Sequence, residues 1–192
     1  MCTRLQAMRF AVLAAVTLLL LALPPAARAQ TKSVSWQQVV VTPNASAYSA
    51  GQCIGGVLTL PAMFNPQGPG GTVLTSFTFV DPQHQSTAND ALSIWIFNAP
   101  PSGSYTDHAG CAVAAADLPI LVGVITVASS NCAQDSGPAT TICTINNFAL
   151  ALAGMFPVIN PNLYAVAIAA GTPTYGSSAK LYFNFMATPF AF

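Results

Sequence analysis

The stretch Ala91–Asn98, ALSIWIFN, constrains this chain more than any other. Leu92, Ile94 and Ile96 fall on one parity, Trp95 and Phe97 on the other. Side chains alternate across a strand, so a strand built from this run has to be covered on both faces. It predicts the central strand of a β-sandwich, with the remaining strands laid around it.

The beginning of the chain reads differently. Arg4 and Arg9 precede the apolar run Phe10–Leu23, and Pro24, Pro25 and Ala27-Arg28-Ala29 follow it. A positive start, an apolar centre and an A-x-A site make a secretory signal peptide, residues 1–29, cleaved after Ala29. A retained membrane anchor is the alternative. The run is short for a span, and the proline pair beside A-x-A favours cleavage. Residues 30–192 then form a single β-sandwich domain, long enough to bury a sizeable core.

After the leader, charge is scarce. Lys32 and Lys180 stand against Asp81, Asp90, Asp107, Asp117 and Asp135, a balance of −3, with no Arg and no Glu. No basic surface exists for nucleic acid. Low charge with high apolar content, 53% over the whole chain, argues against disorder and suggests a surface that packs against something. The expected location is secreted, periplasmic or at the cell surface, with the membrane met only through the leader.

Cys53, Cys111, Cys132 and Cys143 remain after cleavage. Four cysteines in an exported chain read as two disulfides with three possible connectivities. Cys132 and Cys143 enclose ten residues that include the turn-forming Ser136-Gly137-Pro138. A hairpin there favours Cys132–Cys143, which leaves Cys53 to reach Cys111. The other two connectivities stay open. Zinc is the weaker reading: no C-x-x-C is present, and the histidines are distant in sequence from Cys132 and Cys143.

Along the chain, Ser33–Val41 is a first strand ended by Pro43. Asn44-Ala45-Ser46 is a glycosylation sequon or a plain polar loop. Cys53–Leu60 follows, and Gly55-Gly56 inside it suggests a bulge. Asn65–Gly71 is a loop too poor in Lys and helix to cradle phosphate. Thr72–Val80 is a strand with Val73, Phe77 and Phe79 on one face. Asp81–Asp90 connects it to the central strand. Ala99–Pro119 is the longest irregular segment, with one helical turn over Ala112–Asp117. Ile120–Val127, Thr141–Phe148, Leu163–Ala170 and Leu181–Met186 complete the strands. The pattern is all-β: an antiparallel β-sandwich, jelly-roll-like, of roughly eight strands.

Candidate chemistry is thin. Asp81, His84 and Asp90 can be drawn as a metal site, but their spacing has geometric meaning on a helix and this segment reads as loop. A Ser–His–Asp hydrolase lacks its G-x-S-x-G elbow, and glycoside chemistry lacks a Glu acid. No enzyme, cofactor or metal is expected. Trp36, Tyr105, His84 and His108 are the candidate ligand contacts, because they place rings and polar tips on strand one and the two long loops. The aromatic end Phe190-Ala191-Phe192 also raises an outer-membrane barrel. Short strands, apolar on both parities and interrupted by Pro189, argue against one.

Several stretches together resemble a family of small structural proteins encoded by tailed bacteriophages. They are Ala47-Tyr48-Ser49-Ala50-Gly51 with Ile54-Gly55-Gly56, then Ala91–Asn98, Ala115-Ala116-Asp117-Leu118, Leu121-Val122-Gly123-Val124, Leu163-Tyr164-Ala165-Val166 and Gly171-Thr172-Pro173-Thr174-Tyr175. In order, they cover most of Ala47–Leu181. The resemblance implies a virion-associated β-domain with no catalytic residues. The leader and the four cysteines depart from that pattern and suit an exported, disulfide-stabilised bacterial relative.

The expected function is therefore a non-enzymatic structural or surface-assembly β-domain, self-associating or docked on another surface protein. A small-ligand or glycan-binding module and an outer-membrane β-barrel are the alternatives.

Overall fold

The structure is a computed structural model that describes residues 35–61, 63, 70–83, 90–135, 140–151, 162–176 and 178–191. All of them belong to one unit of the chain, Lys32–Phe192. The leader and His84 lie outside the described residues.

Nine strands are formed among the described residues: β1 (Ser35–Val41), β2 (Cys53–Leu60), β3 (Gly70–Asp81), β4 (Leu92–Phe97), β5 (Leu121–Val127), β6 (Cys132–Gln134), β7 (Thr141–Ala151), β8 (Leu163–Ala169) and β9 (Leu181–Ala191). They make a five-stranded sheet, β1-β9-β3-β7-β6, and a four-stranded sheet, β2-β8-β4-β5. Every pairing is antiparallel. This is the expected sandwich. It is not a transmembrane barrel: two separate sheets enclose a phenylalanine-rich interior, whereas such a barrel closes one sheet around a polar lumen.

The core follows from strand alternation. Phe77 and Phe79 of β3 and Phe183 and Phe185 of β9 point inward, with ring centroids 5.0 Å apart for Phe77–Phe185 and 5.2 Å for Phe79–Phe183. They share one cluster with Leu92, Ile94 and Ile96 of β4 and with Ala165, Ala167 and Ala169 of β8. Bulky rings on one sheet face alanines on the other, so large and small side chains share the space between the sheets. Burying each phenylalanine stabilises the fold by roughly 1.5–3 kcal/mol.

β4 sits between β8 and β5, as a strand apolar on both faces requires. Its second face is covered by loop rather than by sheet. Phe97, Tyr105, Val166 and Cys53 form a second buried cluster, against which Trp95, Cys111, Val113, Ile120 and Tyr164 pack. The long segment after β4 is thus a roof over the four-stranded sheet. Its helical turn falls at Ala115–Ile120 and is 3₁₀.

Three local features differ from the simple alternating pattern. β3 shifts register between Leu74 and Ser76 against both β7 and β9. The bulge puts Leu74, not Val73, on the buried face with Phe77 and Phe79. β2 shifts register between Ile54 and Val57, where Gly55 and Gly56 have φ of 75° and 74°. β9 runs on through Pro189 to Ala191. Its described pairing with β1 ends at Ala187, so Pro189 lies where β9 pairs with β3 alone, a position that tolerates a missing N–H.

The structure has two disulfides. Cys53 joins Cys111, and Cys132 joins Cys143 directly across the β6–β7 hairpin. The first fastens the roof to the start of β2. Among the described residues no helix is long and apolar enough to cross a membrane.

Candidate functional site

The aspartates lie in loops and at strand ends, and most are turned inward. Asp107 Oδ1 accepts the Tyr48 hydroxyl at 2.7 Å and the Gly55 N–H at 2.6 Å, while Oδ2 accepts the Asn44 N–H at 2.8 Å. One carboxylate of the roof thereby holds both the β1–β2 connection and the bulge of β2. Burial and this hydrogen bond push the Tyr48 phenol well above its ordinary pKa. Gly55 is required here for two reasons: its φ is left-handed, and a Cβ would overlap the Val41 side chain.

Asp117 is buried in the 3₁₀ turn and accepts four donors. Ser102 gives its N–H and its hydroxyl to Oδ1, both at 2.7 Å. Gly103 gives its N–H at 2.9 Å and Tyr105 its hydroxyl at 2.7 Å to Oδ2. The Ser102 N–H first, with the other donors, holds the carboxyl down to about 2. These donors match the ionised form and fix the roof segment 102–105.

Asp81 and Asp90 are both fully buried. Burial first, then the charge of Asp81, pushes the Asp90 carboxyl up to about 7, against an opposing pull from the Thr141 side chain. Of the described charged residues, only Lys180 and Asp135 are exposed.

The outer face of the five-stranded sheet is the contrasting surface. Trp36 is 57% exposed on β1 and stands opposite Met186, 38% exposed, on β9. Gln38 donates to Asn184 Oδ1 at 2.9 Å in the next outward pair, and exposed Val40 faces Tyr182. Ser76 of β3 donates to Asn146 Oδ1 of β7 at 2.9 Å on the same sheet. Among the described residues this face carries apolar groups, hydroxyls and amides and no charge.

The candidate contacts named from sequence are not gathered together. Trp36 lies on the outer face of one sheet. Tyr105 belongs to the roof of the other; it is 6% exposed with its hydroxyl committed to Asp117, so it anchors the loop from inside. His108 has φ 62°, its Nε2 lies 2.9 Å from the Ala47 carbonyl, and its ring packs edge-on to Tyr48 at 4.9 Å. His84 is outside the described residues. Asp107 adjoins His108 in sequence, yet its oxygens are spent on three other donors, so the two do not form an acid–base dyad. Among the described residues no three His, Cys, Asp or Glu side chains converge.

Sequence reasoning did not find the work done by Asp107 and Asp117. For Asp117 a signal exists: it is the one charge inside the apolar run Ala112–Ile120, where a carboxylate is expected to be buried with partners. For Asp107 the partners are two backbone N–H groups and the Tyr48 hydroxyl, 52, 63 and 59 residues away, which no local pattern records.

No family model matches the chain, and no curated protein matches it either. Among solved structures, it is similar to tomato aspermy virus, with TM-score 0.30 and 9% identity over 95% of this chain and 93% of that one. It is also similar to desmodium yellow mottle tymovirus, with TM-score 0.24 and 11% identity over 88% of this chain and 93% of that one. Turnip yellow mosaic virus gives TM-score 0.27 and 8% identity over 84% and 97%. Likenesses this loose carry no argument about what the chain does.

Proposed function

We propose that this chain is an exported, non-enzymatic structural β-domain that assembles with further copies of itself through edge strand β1 and the uncharged outer face beside it. One observation carries the reading: three of the five aspartates are withdrawn from the surface while large apolar side chains remain there. Asp81, Asp90 and Asp117 are buried, and Trp36 and Val40 stand out from β1. Edge strands of monomeric proteins are normally blunted by charge, proline or a covering element. β1, SWQQVVV, carries neither charge nor proline and stands at the end of its sheet. A face without charge repels no second copy of itself, and an isologous contact needs that self-complementarity.

Export is supported by the leader pattern and by the two disulfides, which persist in oxidising compartments such as the periplasm or the cell exterior. The resemblance to tailed-phage structural proteins points toward assembly as well. Native mass spectrometry of the exported protein tests the proposal. The expected result is oligomers of a chain beginning at Gln30. A monomer at every concentration, or a chain retaining residues 1–29, contradicts it.

A second reading has its own observation. Trp36 beside the Gln38 and Asn184 amides is a ring flanked by hydrogen-bonding groups, the arrangement that stacks on a sugar and fixes its hydroxyls. Glycan-array binding lost in Trp36→Ala, with the protein remaining monomeric, favours that reading over assembly.

A further inference from the structure

Asp81 closes β3, directly across from Thr141 at the start of β7. Asp90 precedes β4, and the carbonyl of its neighbour Ala91 accepts the N–H groups of Ala170 and Gly171 at 2.9 and 3.1 Å. The loop between β8 and β9 is also tied to the Asp81 turn. Gln83 donates its N–H to Asp81 Oδ1 at 2.9 Å, and Gln83 Oε1 accepts the Gly176 N–H at 2.8 Å. Four chain segments thus converge on one buried spot at the end of the sandwich.

That spot is rich in oxygen. Apart from the Thr141 side chain, neither carboxyl oxygen of Asp90 has a hydrogen-bond partner among the described residues, and Asp90 is 1% exposed. The Tyr175 hydroxyl has none either, is equally buried, and feels the charge of Asp90 first and Asp81 second. Buried polar atoms are almost always satisfied, and a buried carboxylate pair is strongly disfavoured unless something positive compensates it. A proton shared by the two carboxyls supplies one donor. It leaves the Tyr175 oxygen without a partner and one negative charge buried. A cation neutralises both carboxylates together and accepts neutral oxygens in the same shell.

We propose that Asp81, Asp90 and Thr141, with the Tyr175 hydroxyl beside them, form a binding site for a hard divalent cation of the calcium type. The donor set is oxygen alone, which selects calcium or magnesium over zinc or copper. Two carboxylates are few, so affinity falls in the range of extracellular calcium modules, with Kd on the order of 10⁻⁴–10⁻³ M. Binding there ties the end of β3 and the residue before β4 to β7 and to the β8–β9 loop. It does not depend on self-assembly and is read separately from it.

The test uses the exported protein, stripped with chelator and kept oxidised, in thermal unfolding with calcium, magnesium or chelator. Calcium at about tenfold Kd is expected to raise Tm by roughly 3–6 °C. Asp90→Asn loses that shift, while Asp135→Asn, altered at an exposed carboxylate, keeps it. Terbium provides a readout independent of stability: luminescence excited through Tyr175 is expected in the wild type and is lost in Tyr175→Phe. The proposal is overturned if neither calcium nor magnesium shifts Tm and terbium stays dark. It is equally overturned if Asp90→Asn responds like the wild type, because the pair then holds a proton instead.

Discussion

Cys53 and Cys111, their Cα atoms 5.0 Å apart, fasten the first residue of β2 to the loop that roofs β4. Backbone bonds reinforce the join: Cys53 N–H to the Ala109 carbonyl at 2.9 Å and Cys111 N–H to the Gly51 carbonyl at 2.8 Å. The bridge spans 58 residues, against 11 for Cys132–Cys143. Chain entropy gives about 4 kcal/mol for the longer loop and about 3 for the shorter. Cys53→Ala with Cys111→Ala should therefore cost more than the other paired replacement, as measured by guanidinium unfolding. A reversed order would mean that the roof is held by its own packing.

Trp95 is half-buried on the roof side of β4, not in the core between the sheets. Trp95→Ala should cost about 2–4 kcal/mol, toward the lower part of the range for aromatic truncations. Phe183→Ala, fully buried between the sheets, should cost about 3–5 kcal/mol. Urea titrations of the two variants give the comparison. A Trp95 loss under about 1 kcal/mol would mean that the ring lies on the surface.

Gly51 and Gly55 separate two costs of adding a side chain. Both have positive φ, 88° and 75°, but only at Gly55 does a Cβ meet anything, the Val41 side chain. Gly51→Ala should lose about 1–2 kcal/mol from the left-handed backbone alone. Gly55→Ala should lose more, and Val41→Ala in the same chain should recover part of the excess. A double-mutant cycle reads that coupling directly.

Asp117 sets an acid limit. Its folded pKa of about 2 lies below that of an unfolded aspartate, because the Ser102 N–H and the three further donors favour the carboxylate. A group depressed on folding contributes stability that is complete above its unfolded pKa of about 3.9 and is lost as pH falls toward 2. Asp117→Asn should flatten the stability profile in that window and leave its shape above pH 5 unchanged. An unchanged acid limb in the variant would mean that another carboxylate controls acid unfolding.

The legible part of the fold was the part written in alternation. ALSIWIFN demands cover on both faces, and β4 has it. Gly55-Gly56 marked its bulge because only glycine takes that backbone conformation cheaply. The bulge at Thr75 was not legible, since no glycine announces it, and one extra residue moved Leu74 inward and Val73 outward. Pro189 does not end β9, because a proline ends a strand only where its N–H is needed. At the candidate site, Trp36 was visible as a ring on a first strand. The inward turn of Asp81, Asp90, Asp107 and Asp117 depends on partners brought from other segments by the sheets, and so it required the tertiary structure.

The central claim is assembly through β1. Sedimentation velocity on the exported protein, wild type against a Trp36→Lys, Val40→Lys variant, tests it most directly. Both positions are exposed, at 57% and 47%, so the substitutions should leave the unfolding midpoint nearly unchanged while charging the edge. The account predicts concentration-dependent oligomers for the wild type and a monomer for the variant. A wild type that sediments as a monomer throughout, or a variant that associates as strongly as the wild type, would contradict it.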